Sequence, residues 1–215
     1  MAFKRVALMQ PYFFPYPRYF RLFAEVDDFI IHDDAQFIKG GRVNRTEVVG
    51  RAGNIEWLTL PLAKHSSTAL IRDCTFAGDA RTRVDRSLRR LPWIADSAGP
   101  AAERIREYLY SPLTNPLDYL EAGLRMVVDL LGIQVQISRS SGLSLGSLRG
   151  QDRVIAAVKE VGGSEYVNLP GGDALYDPNA FGRAGISLRF LEPYEGPHRL
   201  MLPALMALPP EAIPL

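Results

Sequence analysis

Short apolar runs alternate with stretches of helical pattern along most of the chain. Short runs bounded by turn residues are typical of buried strands, whereas apolar residues three or four positions apart are typical of helices. Strands are predicted at 5–9, 28–32, 135–138, 165–169 and 187–191, with helices after residue 17, at 151–161 and near 181. Because strands and helices alternate, the chain is predicted to be an α/β protein with a mainly parallel, Rossmann-like sheet.

Two parts of the chain depart from this alternation. The β-rich pieces at 46–49 and 56–62 are separated by glycines that favour a chain reversal, so they predict a β-hairpin excursion. Residues from about 80 to 132 carry three helical patterns and predict a helical middle segment. The last pattern begins at Asn115-Pro116, a favourable N-cap followed by proline at the first helical position.

The C-terminal segment from about 203 to 215 is rich in proline and apolar residues. It is expected to be a surface segment or docking arm. If its apolar side chains are exposed, they would suit a dimer or partner interface, so an oligomer is considered.

Composition narrows the class of protein. The 215 residues are predicted to form one domain, residues 1–215, and 47% of them are hydrophobic, as in ordinary globular proteins. The net charge is +1 with both signs interspersed, so no nucleic acid is expected as the main partner. The basic stretch from Arg81 to Arg90 is interpreted mainly as the solvated face of a helix, and the alternative is a contact with a phosphate or another anion. No apolar run is long enough for membrane insertion. Cys74 is the single cysteine, so the chain cannot form an internal disulfide. Together these observations predict a cytoplasmic protein.

Polar residues follow the ends of the predicted strands at four places. Ligands bind beyond the carboxyl ends of the strands of an open parallel sheet, so these residues are the candidate substrate contacts. The two acids, the Asn-Arg pair and the serine pair are expected to converge on one cleft. The groups are Gln10 with Tyr12 and Tyr16; Asp33, Asp34, Gln36, Lys39, Asn44 and Arg45; Ser140 and Ser141; and Asn168 with Gly171, Gly172 and Tyr176.

Asp33 and Asp34 are the candidate catalytic residues. A carboxylate at a strand end can act as a general base, bind a metal ion, hold a substrate hydroxyl or amine, or merely cap the strand. Adjacent residues of a strand point to opposite faces, so at most one of the two is expected in a shared pocket.

The Asn44-Arg45 and Ser140-Ser141 pairs each have two interpretations. The amide and the five-donor guanidinium of the first pair suit a carboxylate or phosphate, and the alternative is an ion pair between Arg45 and the acids. The serines can bind phosphate oxygens or donate to a sugar, or they can form turn hydrogen bonds. Neither serine has the G-x-S-x-G context of a nucleophile elbow.

The remaining signals are weaker. Gly171-Gly172 lacks the rest of a dinucleotide or Walker motif, and a turn explains it. The three histidines lie in unrelated contexts without the spacing of zinc ligands, so no metal site is predicted. The aromatic segment from Tyr12 to Phe20 can form one side of a ligand pocket, although its phenylalanines are expected mainly in the core. The hydroxyl groups of Tyr12 and Tyr16 make these two the better pocket candidates.

Several motifs occur in an order that resembles the WbqC-like family over nearly the whole chain. They are QPYFFPYPRYFRLF, DDFIIHDDAQFIKGGRVNR, WLTLPL, SRSSGL, YVNLPGGDALYD and GISLRFLEPY. The resemblance implies a cytoplasmic role in bacterial surface-glycan biosynthesis, such as that of O-antigen or capsule, beside enzymes that build modified amino sugars. It carries over to Gln10, Pro11, Tyr12, Pro15, Asp33, Asp34, Gln36, Lys39, Asn44, Arg45, Ser140, Ser141, Gly172 and Tyr176. The chain departs from the family in the middle, where an Arg-rich helix replaces an expected Lys-His-rich one.

The leading hypothesis is a transferase that moves an acyl or aminoacyl group to the amine of a nucleotide-linked amino sugar or similar small metabolite. Asp34 would accept a proton from the amine while Lys39, Arg45 and Ser141 hold anionic groups. The cofactor is left open. One alternative is an ATP-dependent ligase, because the arrangement is weakly similar to nucleotidylyl transferases, although their HxGH signature is absent. The other is a non-catalytic binding or scaffold protein of a glycan pathway.

Overall fold

The chain is built around a five-stranded parallel sheet, seen in a computed structural model that describes residues 3–215. The strands are β1 (Arg5–Met9), β2 (Asp28–Ile31), β3 (Arg45–Val49), β4 (Ile55–Thr59), β5 (Gln136–Arg139), β6 (Glu165–Asn168) and β7 (Ser187–Phe190). The helices are α1 (Pro17–Ala24), α2 (Ala80–Arg89), α3 (Pro92–Asp96), α4 (Ala102–Tyr110), α5 (Pro116–Leu130), α6 (Gly150–Glu160), α7 (Pro178–Arg183) and α8 (Met201–Ala207). The sheet order is β5-β2-β1-β6-β7, and β3 pairs with β4 as an antiparallel hairpin. The predicted parallel α/β class with a hairpin excursion is therefore confirmed.

The sheet is covered on both faces, which explains why its central strands lack polar alternation. In β1, the side chains of Val6, Ala7 and Leu8 are all buried, although they point alternately to opposite faces. Ala7 belongs to the larger apolar cluster, which includes side chains of the helical segment, the hairpin and α8. Val6 and Leu8 belong to a smaller cluster that includes side chains of α6 and α7. Each face of the sheet thus has its own apolar layer.

The helical middle segment contains α2 to α5, and the sequence pattern identified all of these except the short α3. The N-terminus of α5 is formed as predicted, because the side chain of Asn115 accepts a hydrogen bond from the Asp118 amide at 3.1 Å. The basic stretch on α2 buries Val84 and Leu88 and exposes Arg86, as the solvated-face interpretation predicts. Arg81 departs from it, because this side chain is half-buried and donates to the carbonyl groups of residues 109 and 111. No helix within residues 3–215 has both the length and the apolar character needed to cross a bilayer.

The same cap ends the helix before each of two sheet strands. After α5, Gly132 has a φ of 67°, and its amide donates to Asp129 while the next amide donates to Val128. After α6, Gly162 has a φ of 74° and forms the same pair of bonds. This arrangement satisfies the last carbonyl groups of each helix and needs a residue that tolerates positive φ. The two caps direct the chain into β5 and β6.

The C-terminal segment does not form a docking arm. Its residues from Met201 form α8, in which Leu205 and Met206 are fully buried in the larger cluster. The expectation of a surface segment is therefore wrong for the part within α8, because the apolar spacing of MLPALMA matches a helix face even though proline interrupts the stretch. Beyond α8, Glu211, Ala212 and Pro214 are exposed as expected.

Gly163 tests how tightly α6 packs on the sheet. A Cβ added there would lie 2.5 Å from Val6 Cγ2 and 2.8 Å from Val158 Cγ1. Gly163→Ala is expected to lower the free energy of unfolding by about 1 to 3 kcal/mol, since overpacking displaces both valines. Urea denaturation measures this change. The matched control is Gly78→Ala, whose added Cβ would meet no atom within 4 Å. Equal losses in both variants would contradict the packing explanation.

Candidate functional site

The order of the parallel strands reverses at β1, which pairs with β2 on one side and β6 on the other. A cavity of about 500 Å³ lies at the carboxyl ends of these strands and is also lined by Gly150 and Gln151 of α6. Such reversal points leave a crevice in which open α/β sheets bind ligands. We call this space the switch-point cavity, and it is the principal candidate site.

The lining of the switch-point cavity combines apolar side chains with uncharged polar ones. It is lined by His32 and Gln151 and by seven of the predicted contacts, namely Gln10, Tyr12, Tyr16, Asn168, Gly171, Gly172 and Tyr176. None of the described residues around it is Asp, Glu, Lys or Arg. Burial raises the pKa of Tyr12, so this phenol stays protonated and can donate at neutral pH. Phenol and amide groups of this kind suit the hydroxyl, amine and carbonyl groups of an uncharged ligand.

The aromatic segment after β1 divides between core and cavity. Phe13 and Phe14 are buried, whereas Tyr12 and Tyr16 line the cavity. Phe14 has a φ of 41°, a left-handed conformation that costs an L residue about 1 to 2 kcal/mol. The Thr46 hydroxyl donates to the Phe14 carbonyl at 2.8 Å, and this buried bond helps to hold the turn. The hairpin thus holds the segment that presents both tyrosines.

The loop after β6 forms another wall of the cavity. The Tyr166 and Tyr176 hydroxyl groups are 3.3 Å apart, and their rings meet edge to face. At Gly172, an added Cβ would lie 2.8 Å from the Asn168 side-chain nitrogen. Glycine at this position lets the loop pack against the Asn168 amide, which a larger residue would displace.

Asp33 lies inside the protein and not in the cavity. Its side chain is 1% exposed. It accepts hydrogen bonds from the Ser140 hydroxyl at 3.0 Å, from the Ser141 amide at 2.9 Å and from the Ser141 hydroxyl. The acids and the serine pair are thus brought together, as expected. Because its oxygens are occupied by donors from the end of β5, Asp33 connects two strand ends.

Asp34 is also engaged by neighbouring side chains. It forms an ion pair with Arg153 of α6 and accepts a hydrogen bond from Ser140 at 2.6 Å. Its oxygen Oδ1 also lies 3.5 Å from His32 Nε2. Asp34 therefore contacts the one imidazole that lines the cavity, although it does not line the cavity itself.

His32 has the properties of a proton acceptor. Burial lowers the pKa of His32 below its usual value of about 6.5, and this effect outweighs the opposing influence of Asp34. The charge of Arg153 also lowers it, because Arg153 offsets the carboxylate that would stabilise imidazolium. His32 is therefore uncharged at neutral pH and can take a proton from a ligand.

Lys39, Asn44 and Arg45 lie elsewhere, around a cavity of about 570 Å³ beside the hairpin. This hairpin cavity shares no lining residue with the switch-point cavity. The expectation of one cleft for the acids, the Asn-Arg pair and the serines is therefore wrong. The reason is topological, because Arg45 begins β3 and this strand belongs to the hairpin and not to the parallel sheet.

Near the hairpin, the side chains of Arg45 and Gln36 donate hydrogen bonds to backbone carbonyl groups. Within residues 3–215, Arg45 has no carboxylate within 4.0 Å, so the alternative ion pair with Asp33 or Asp34 is not formed. Gln36 donates from its side-chain nitrogen to the Ser67 carbonyl at 2.8 Å and pairs with Leu70. Gln36 thus joins two loop segments and lines neither cavity.

In the described part of the chain, no side chains are arranged to bind a metal ion or to activate the thiol of Cys74. Among residues 3–215, no three His, Cys, Asp or Glu side chains are grouped to hold a metal ion. Burial raises the pKa of the Cys74 thiol, which disfavours the thiolate form that a nucleophile needs.

Comparison with known proteins identifies the family. The model of the WbqC-like protein family matches residues 10–198, which include most residues of both cavities. The chain belongs to the WbqC-like family. This WbqC-like chain is 27% identical over 199 residues to Uncharacterized protein Rv1507c of Mycobacterium tuberculosis (strain ATCC 25618 / H37Rv), covering 90% of this chain and 84% of that protein. No solved structure matches it.

Sequence reasoning missed three residues that this WbqC-like site brings together. His32 was considered only as a zinc ligand, although its position at the end of an apolar run was a usable signal. Gln151 and Arg153 follow Gly150 at the start of α6, and nothing in their local pattern indicates that Gln151 lines the cavity or that Arg153 meets Asp34. Their roles depend on how α6 packs across the sheet.

Removing the Asp33 carboxylate tests its structural role. Asp33→Ala is expected to lower the free energy of unfolding by about 1 to 3 kcal/mol, because the amide and the hydroxyl of Ser141 lose their acceptor, whereas the Ser140 hydroxyl keeps Asp34. Thermal and urea denaturation measure the loss. Asp173→Ala, which removes an exposed acid, is the matched control and should change stability by about 0.5 kcal/mol or less. A stable Asp33→Ala variant would show that the strand ends do not depend on this carboxylate.

The pKa of His32 should respond in opposite directions to two substitutions. Asp34→Asn removes the charge that favours imidazolium, so the pKa should fall further, whereas Arg153→Gln should raise it. Titration of the three histidines by NMR measures both shifts, and His198 is the internal control. General loosening of the fold would expose the ring and raise the pKa in both variants. A rise in Asp34→Asn would therefore contradict the assigned contact.

Proposed function

We propose that this protein is an enzyme of bacterial surface-glycan biosynthesis that transfers an acyl or aminoacyl group to the amine of a nucleotide-linked amino sugar. The observation that carries the proposal is the switch-point cavity, where an uncharged His32 lies among phenol and amide groups. Membership of the WbqC-like family supports the glycan pathway.

The cavity suits a sugar ring better than a charged group. Its volume of about 500 Å³ lies within the usual range of about 300 to 1,000 Å³ for small-molecule sites. Tyr12 and Tyr16 offer aromatic surface and hydroxyl groups, and Gln10 and Asn168 offer amides. None of the described lining residues is Asp, Glu, Lys or Arg, and an uncharged lining favours the neutral, nucleophilic form of the amine.

The proposed transfer moves one proton to His32. The amine nitrogen attacks the carbonyl carbon of the acyl donor, a C–N bond forms, and the bond from that carbon to the leaving group breaks. In this scheme Nε2 of His32 faces Asp34, so Nδ1 takes up the proton that the amine nitrogen loses. His32 then passes this proton to the leaving group. Hydrogen bonds from the cavity phenols would stabilise the negative charge that develops on the carbonyl oxygen.

Asp34 takes a different role from the one that its sequence position suggested. Its oxygens are occupied by Arg153 and Ser140, so it is poorly placed to accept the substrate proton itself. Beside His32, its charge instead stabilises the imidazolium that forms during transfer. Asp34 is thus a positioning residue for His32.

Partners follow from the same chemistry. We expect small-molecule substrates, and we expect neither DNA nor RNA as a main partner, because the net charge is +1.

His32→Gln tests the proposed base. With a nucleotide-linked amino sugar and an acyl-CoA as probes, the substitution should lower kcat by about 100-fold or more while changing KM only a few-fold. The reason is that glutamine keeps a polar side chain but cannot take up the proton. Product formation is followed by mass spectrometry across a panel of UDP- and dTDP-linked amino sugars.

His198→Gln is the matched control, since His198 lines neither cavity. Unchanged activity in His32→Gln, with wild-type melting temperature, would remove His32 from the reaction. Exchange of labelled pyrophosphate into ATP in the presence of a carboxylic acid would contradict simple transfer and favour the ligase alternative.

A further inference from the structure

The hairpin cavity collects basic side chains without acidic ones. Lys39, Arg45, Lys64 and Arg83 line it, beside His65, and none of the described lining residues is Asp or Glu. The whole chain has 25 basic and 24 acidic residues, so this local excess does not follow from composition. A cavity with one sign of charge attracts ligands of the opposite sign.

Three of the four basic groups form no ion pair with the described residues, and the fourth forms only an exposed one. Within residues 3–215, Lys39, Arg45 and Lys64 have no carboxylate partner within 4.0 Å. Arg83 lies 3.7 Å from Asp79, but both side chains are more than half exposed, so solvent weakens this contact. The charges are therefore free to meet a bound anion.

Arg45 is held in place before any ligand binds. Its Nε donates to the Gly41 carbonyl at 3.0 Å, and Nη2 donates to the Gly40 carbonyl. The guanidinium also lies 4.0 Å from the centroid of the Trp57 ring. A guanidinium fixed by backbone carbonyls and an aromatic face loses little conformational freedom on binding.

An apolar wall lies beside the basic groups. The rings of Phe37 and His65 meet edge to face at 4.7 Å, and Pro61 and Leu62 continue the lining. A ligand that matches the whole cavity therefore carries concentrated negative charge together with a flat or apolar group.

We propose that the hairpin cavity binds the diphosphate group of a nucleotide or a nucleotide-linked metabolite. Four basic side chains exceed what one carboxylate can neutralise, whereas a diphosphate offers several oxygens to lysine ammonium groups and to the arginine fork. The apolar wall takes the attached nucleoside. This site is separate from the switch-point cavity and goes beyond the transfer reaction proposed there.

Calorimetry with inorganic pyrophosphate, UDP and uridine tests the proposal. Pyrophosphate and UDP should bind the wild-type protein and uridine should not, because uridine lacks the phosphates. Lys64→Ala and Arg83→Ala should each weaken binding of pyrophosphate by about tenfold or more, since each removes a charge-assisted contact. Both side chains are exposed, so neither variant should lose stability.

Lys159→Ala is the matched control, because it removes the same charge from an exposed position outside the cavity. Binding that falls equally in this variant, or no binding of pyrophosphate to the wild-type protein, would overturn the proposal. Emission from Trp57 provides a second signal, since an anion on Arg45 changes the charge over the ring. Trp57→Phe should abolish that signal.

The test also separates this inference from the proposed transfer activity. His32→Gln should bind pyrophosphate as the wild-type protein does, because His32 does not line the hairpin cavity. Normal pyrophosphate binding in a protein without transferase activity would refute only the reaction. Active enzyme without pyrophosphate binding in the hairpin cavity would refute only this site.

Discussion

The carboxyl edge of the sheet depends on one buried charge, the carboxylate of Asp33. Donors from Ser140 and Ser141 satisfy this group, which would otherwise be costly to remove from water. These bonds join the end of β2 to the end of β5, 107 residues further along the chain. With this edge closed, Asp34 meets Arg153 of α6 and His32 faces the switch-point cavity. Asp33, a candidate catalytic residue in the sequence, thus stabilises the site without lining the cavity.

The two cavities differ in the chemistry that they suit. The switch-point cavity presents phenols, amides and one imidazole, and it keeps the neighbouring charges of Asp34 and Arg153 paired with each other behind its wall. The hairpin cavity presents four basic groups, of which only Arg83 has a carboxylate partner among the described residues, and that contact is exposed. An uncharged lining preserves a neutral base and a neutral amine, whereas an unpaired basic lining attracts phosphate. Both cavities depend on the hairpin, because it also supports the aromatic turn at Phe14 through Thr46.

The candidate site was only partly predictable from the sequence. Gln10, Tyr12, Tyr16 and Tyr176 line the switch-point cavity because strand ends of a parallel sheet share one edge, which is a general rule of the fold. The rule failed for Arg45, because a strand pattern does not reveal to which sheet the strand belongs. It also undervalued His32, since burial under the packed helices is what lowers its pKa most, and Arg153, which adds to that effect, is distant in the sequence.

The sequence by itself determined the strands, nearly all helices and the parallel α/β class, because these follow from the local spacing of apolar residues and from caps such as Asn115. It did not determine that the apolar tail is a core helix, because burial of α8 depends on the surface that α4 and β3 offer to it. Tertiary structure alone decided which polar groups share a cavity and which charges cancel. The physical reason is that charge and burial act through space, and residues as far apart as Asp34 and Arg153 meet only after the helices pack on the sheet.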